Sequence, residues 1–163
     1  MRLAISSPAF RHEEPILERF TCDGEDIPPP LDWSGVPEGT QTLALIVEDP
    51  DAPDPAAPQR IFTHWLIYNL PPDSSGLPEN VVLETLPRGA RFGQNDFERT
   101  RWGGPCPPVG RHRYYFKLYA LDSPVPTDHV LTRSGLLAAI DGHVLAYAEL
   151  IGTYEKRSAS KQR

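Results

Sequence analysis

Three side chains suited to acid–base or anion chemistry stand at the ends of apolar strand patterns: Asp49, His64 and His112. Side chains alternate faces along a strand, so residues two apart share one. On that rule Asp49 continues the face of Leu43, Leu45 and Val47. His64 shares a face with Phe62, Leu66 and Tyr68, and His112 opens the face of Tyr114, Phe116, Leu118 and Ala120. Asp49 ends its strand whereas the two histidines begin theirs, so strands in alternating directions would gather all three at one rim, a polar pocket at the mouth of an apolar core. One chemistry for such a set is anion binding, with imidazole and loop N–H groups as donors. The alternative is a metal-dependent or other hydrolase that uses the Asp/His/His site with an open position for water. No HExxH helix, no base for that water and no GxSxG elbow supports the hydrolase, so the sequence favours a binding protein, not an enzyme, and predicts neither metal nor cofactor.

Two loops are expected to frame this rim. Asp49-Pro50-Asp51-Ala52-Pro53 is stiffened by its prolines, with Asp51 suited to an Asx-type turn. Gly103-Gly104-Pro105-Cys106-Pro107-Pro108-Val109-Gly110 runs directly into His112 and can aim the N–H groups of Cys106, Val109 and Gly110 at a ligand. The prolines of these loops belong to an excess of 19 in 163 residues, which argues against long regular elements and gives turns and sheet edges their stiffness.

The elements that must hold these residues read as mainly β. Strands are expected at 2–6, 42–48, 61–70, 81–85, 112–122 and 147–154. A short helix over 132–140, capped by Thr132 or Ser134, is followed after Gly142 by a second short helix. This describes a β-sandwich or barrel-like set of antiparallel strands with short C-terminal helices, a single domain over 1–155 followed by a basic tail at 156–163. The alternation also puts Trp65 on the face opposite His64, and Gly142 between the two short helices makes His143 a capping or packing residue.

Charge narrows the partners. Lys156, Arg157, Lys161 and Arg163 lie in the tail, leaving 12 basic against 22 acidic residues in 1–155, an unsuitable body for binding nucleic acid. No apolar run reaches the length of a transmembrane segment and the N-terminus does not resemble a signal peptide, so a cytoplasmic location is expected. Cys22 and Cys106 are 84 positions apart with no metal-ligand spacing; free, reduced thiols are expected, with a bridge as the alternative.

Taken together, Asp49-Pro50-Asp51-Ala52-Pro53, His64-Trp65, the Gly103 to Tyr114 segment and Ala120-Leu121-Asp122 resemble the phosphatidylethanolamine-binding protein family, in its bacterial and archaeal Raf-kinase-inhibitor-like branch. Phe20-Thr21-Cys22-Asp23-Gly24, Pro29-Pro30-Leu31-Asp32-Trp33, Gly142 to Ala146 and Leu150 to Tyr154 extend the likeness over almost the whole chain. The resemblance implies a β-sandwich with a pocket for phosphate, phosphorylated ligands or phospholipid head groups, lined by Asp49, His64, Cys106, Pro107, Pro108, Gly110, His112 and Tyr114. It also implies a regulatory or inhibitory role toward a kinase or protease, and admits a homodimer. In that pocket Asp49 would orient a histidine, or accept a proton retained by the ligand, while both histidines face the anion, so affinity should fall as pH rises through roughly 6–8. Trp102 stands where the branch commonly has Tyr, and is expected to narrow the rim or change its hydrogen bonding. Glu98 stands where Gly is common.

Overall fold

A computed structural model describes residues 2–156. The chain forms β1 (Ala4–Ser6), β2 (Glu14–Pro15), β3 (Leu31–Ser34), β4 (Thr42–Ala52), β5 (Arg60–Leu70), β6 (Gly76–Leu77), β7 (Arg91–Phe92), β8 (Arg111–Leu121), α1 (Arg133–Ile140) and β9 (Val144–Glu155). The large sheet has the order β2-β9-β8-β4-β5-β7, antiparallel apart from the short β2–β9 pair, and β1-β3-β6 form a small second sheet. The part of the expected basic tail at 157–163 lies outside the described residues.

Alternation divides the core in two. Leu43, Leu45 and Val47 of β4 and Phe116, Leu118 and Ala120 of β8 face the small sheet, where Ile5, Leu31, Trp33 and Leu77 close the sandwich. Ala44 and Ile46 point the other way, onto Leu136 and Ile140 of α1. Removing these side chains from water on both faces of β4 is the main force holding the layers together. The second interface also carries a buried charge: Glu48 accepts hydrogen bonds from Lys117 Nζ at 2.7 Å and Arg133 Nε at 2.7 Å, pinning the first turn of α1 to the sheet.

The β-sandwich expected from the sequence is present, with three local corrections. Residues 81–85 form no strand; Leu83–Thr85 is a single 3-10 turn, its exposed Val82 and Leu83 lacking a neighbouring strand to pair with. One helix precedes β9, not two, because Gly142 takes a left-handed φ of +84° and turns the chain straight into the strand. Thr132 is the cap of α1, its hydroxyl accepting from the Gly135 N–H.

The third correction concerns β5. Val47 pairs with Trp65 and Glu48 with Thr63, so His64 is an extra residue opposite that step, a β-bulge. The bulge resets the alternation: Trp65 and Ile67 pack in the sandwich core, and Leu66 and Tyr68 pack toward α1. His64 rests its ring against Tyr114, with centroids 5.2 Å apart. His64 and Trp65 thus contribute to the same side of the sheet, and His64 parts from Leu66 and Tyr68.

Candidate functional site

Where β4, β5 and β8 meet the 103–110 loop lies a cavity of about 360 Å³ lined by Asp49, His64, Cys106, Pro107, Pro108, His112 and Tyr114. Gly110 stands outside the lining. Its φ of +75° turns the chain into β8, and a Cβ there would lie 3.1 Å from Pro55 Cδ, so its part is to aim the strand. Ala52 and Pro53 of the first expected framing loop also line it, whereas sequence reasoning missed the apolar wall of Phe62 and Phe97 and the contributions of Gln59 and Arg60. Phe62 carried a signal, since it stands two positions before His64 on the face expected to reach the rim.

Buried Asp49 and His112 are joined, Oδ2 to Nδ1, at 2.5 Å. The other ring nitrogen of His112 faces two carbonyls, Pro53 O at 3.1 Å and Val109 O at 2.9 Å, and since a carbonyl only accepts, Nε2 carries a hydrogen and shares it between them. Both nitrogens of His112 are thereby engaged inside the protein. The expectation that both histidines face an anion is corrected: His112 works as a brace between β4, the Pro53 turn and the loop before β8. Burial raises the pKa of Asp49, against the lowering effect of its bonds to His112 and the Asp51 N–H.

His64 has the role of a neutral acceptor. Its Nδ1–H donates to Gly103 O at 2.6 Å, which fixes the tautomer and leaves Nε2 with a lone pair. Burial pulls its pKa down to about 4, so near neutral pH the ring is uncharged. The expected imidazole titration between pH 6 and 8 therefore does not belong to His64. Tyr114, fully buried beside it, has a hydroxyl with no hydrogen-bond partner among the described residues. Desolvation first, and then the Asp49 and Asp51 carboxylates, raise its pKa and keep it a phenol.

The frame that positions these groups is polar and continuous. Buried Asn95 donates to His64 O at 3.0 Å and to Arg101 O at 2.8 Å, and its carbonyl accepts the Phe97 and Arg99 N–H groups, which sets Phe97 in the wall. Glu98 in this turn has a φ of +63°, a left-handed conformation that glycine adopts without cost. Asp51 accepts three hydrogen bonds from Arg113, and these hold its pKa down and fasten the end of β4 to β8. At Gly104 a Cβ would meet Asp26 Oδ1 at 2.3 Å and Phe20 O at 2.4 Å, so only glycine lets the loop approach this closely.

Cys106 is bonded to Cys22, with Cα atoms 5.4 Å apart, so the expected free thiols are corrected to a disulfide. Sequence separation concealed this. The Cys22 N–H to Pro105 O bond and the Asp26 to Gly104 N–H bond bring the two loops together irrespective of the 84 positions between them. Trp102 is also reassigned: its buried ring donates through Nε1 to Phe20 O and lines a different cavity, leaving the rim of this one untouched. Nor do Asp49, His64 and His112 converge as a three-ligand metal set, because Asp49 and His112 are spent on each other.

The model of the phosphatidylethanolamine-binding protein family matches residues 6–155. The chain belongs to this family. A UPF0098 protein of Methanothermobacter thermautotrophicus is 47% identical over 153 residues, covering 93% of this chain and 98% of that one. Among solved structures, a phosphatidylethanolamine-binding protein homologue of Chlamydia trachomatis superposes with a TM-score of 0.87 at 41% identity, covering 96% of this chain and 99% of that one. Escherichia coli YbcL, described as a member of the mammalian family, gives 0.86 at 32% identity, covering 96% and 100%. The family fold is thus the sandwich described above, and the bulged β5 and the stapled 103–110 loop are how this phosphatidylethanolamine-binding protein relative builds its cavity. Among the described residues, no helix is long and apolar enough to cross a membrane.

Proposed function

We propose that the cavity binds the singly protonated form of a phosphoryl or similar oxyacid head group, and that the protein acts by binding, in a regulatory capacity, not by turnover. The observation that carries this is the pairing of a neutral His64, whose Nε2 can only accept, with the unpartnered Tyr114 hydroxyl in the same lining. A phosphomonoester monoanion offers both complements: its P–OH donates to His64, and a P–O oxygen accepts from Tyr114. A dianion lacks the donor and would meet Asp49 with one more negative charge. Phe62, Phe97 and Pro107 supply apolar walls that strengthen these bonds by excluding water.

This reading separates ligand classes. Inorganic phosphate and monoesters satisfy it, whereas a phosphodiester, ionised with no P–OH, does not. Titration calorimetry with a phosphate monoester should show affinity falling by about fiftyfold between pH 6 and 8, as the second ionisation at about pH 6 removes the donor. Tyr114→Phe should weaken binding by about tenfold, the order of one hydrogen bond. A flat pH profile together with an unaffected Tyr114→Phe variant would sink the proposal. A kinase or protease partner fits the same chemistry where it presents a phosphorylated side chain. Homodimer formation and a cytoplasmic location are separate proposals, checked by sedimentation and by fractionation of cells.

A further inference from the structure

A second and larger cavity, of about 580 Å³, shares no lining residue with the Asp49 site. We propose that it binds a small amphipathic anion, an acid head group carried on an apolar chain or ring. Its size falls within the range of small-molecule sites, about 300–1,000 Å³. Its apolar lining includes Val81, Phe92 and the Trp102 ring. Val82, Leu83 and Val130 also line it and remain 44%, 63% and 54% exposed. Of the nine large hydrophobic side chains exposed among the described residues, a third therefore gather at this one opening. Clustering of that kind marks a surface that is covered part of the time.

Charge selects the head group. Arg91 and Arg101 both line the cavity, and among the described residues neither guanidinium has an ion-pair partner. Arg19, Arg60, Arg111, Arg113 and Arg133 are paired with carboxylates, whereas Arg2, Arg11, Arg88 and Arg99 share the unpaired state among the described residues. It is the placing of two such cations at one apolar opening that sets Arg91 and Arg101 apart. Asp26 is the one carboxylate in the lining, and its Oδ1 is committed to the Gly104 N–H at 2.8 Å. Two unpaired cations against one engaged carboxylate, over an apolar floor, match a ligand with an anionic end and an apolar body. Guanidinium forks favour carboxylates and phosphates over neutral hydroxyls, so the head group has to be an acid.

Octanoate and 1-octanol, the same chain with and without the charge, are the probes. Calorimetric titration of the full chain should show octanoate binding at one site and at least about tenfold tighter than octanol, the order of a hydrogen bond to a charged group. Arg91→Gln combined with Arg101→Gln, both at exposed positions that leave the core intact, should remove that preference and leave octanol binding as it was. Leu83→Glu, at the exposed rim, should weaken octanoate more than octanol. Amide shifts on adding octanoate are expected at Val81 to Leu83 and at His129 to Val130. Equal affinity for acid and alcohol, a preference that survives the double substitution, or shifts confined to Phe62 and His112 would each overturn the proposal.

Discussion

Asp49 Oδ2 and His112 Nδ1 lie 2.5 Å apart in the interior, with the side chains 4% and 1% exposed. The pair joins the end of β4 to the beginning of β8, and each member is the partner that makes the other's burial tolerable. Removing one leaves a desolvated polar group behind, which costs about 3–5 kcal/mol. Asp49→Ala should therefore lower the free energy of urea unfolding by that amount and abolish phosphate binding with it. A variant that keeps wild-type stability would show that the pair does not brace the site.

Glu48 predicts an acid limit to stability. Burial raises its pKa, but the hydrogen bonds from Arg133 and Lys117 outweigh this and hold it below its ordinary value of 4.5. A carboxylate depressed in the folded state contributes stability that is complete above its unfolded pKa and lost as pH falls through the folded one. Glu48→Gln should cost about 2 kcal/mol at pH 7, and less as the pH is taken below about 4. Denaturation midpoints of both proteins across pH 3–7 test this, and parallel curves would refute it.

His64 acts in a higher window. Its pKa is about 4 in the fold against an ordinary 6.5, so between those values the unfolded chain holds a proton that the native state refuses. Stability is complete above about pH 6.5 and declines toward pH 4, by roughly 3 kcal/mol. The slope should be smaller in His64→Asn, measured by urea denaturation at pH 4.5 and pH 7. An identical slope would assign the effect to other groups.

The Cys22–Cys106 bond closes a long loop. On chain-entropy grounds its removal costs up to about 4–5 kcal/mol. Cys22→Ser with Cys106→Ser should still fold, because Cys22 N–H to Pro105 O, Trp102 Nε1–H to Phe20 O and Gly104 N–H to Asp26 Oδ1 hold the two loops together without it. A lower melting temperature with retained phosphate binding is the expected result. An unchanged melting temperature would mean that the bond adds nothing to what those contacts supply.

The sequence disclosed most of the site along β4 and β8, where Leu43 to Asp49 and His112 to Ala120 alternate as strand geometry requires. It disclosed less along β5, since a bulge is a property of the pairing and leaves no mark in the pattern of one strand. The same limit hid Asn95. A buried amide that ties His64 O to Arg101 O is spelled like any polar loop residue. The disulfide and the displacement of Trp102 arose likewise from contacts between loops distant in the chain. The roles of the two histidines followed from which carbonyls face them, which only the folded chain determines.

The extra residue in β5 also bears on how this chain is compared with others. Because His64 is held out of the ladder between Thr63 and Trp65, counting by twos from Phe62 gives the wrong side of the sheet over 65–68. A gap of one position placed anywhere in 62–66 would exchange the residues facing the cavity with those facing α1 while scarcely changing the apparent similarity. Alignments of this strand should be anchored separately at Phe62 and at Ile67, with the single unpaired position assigned to the histidine.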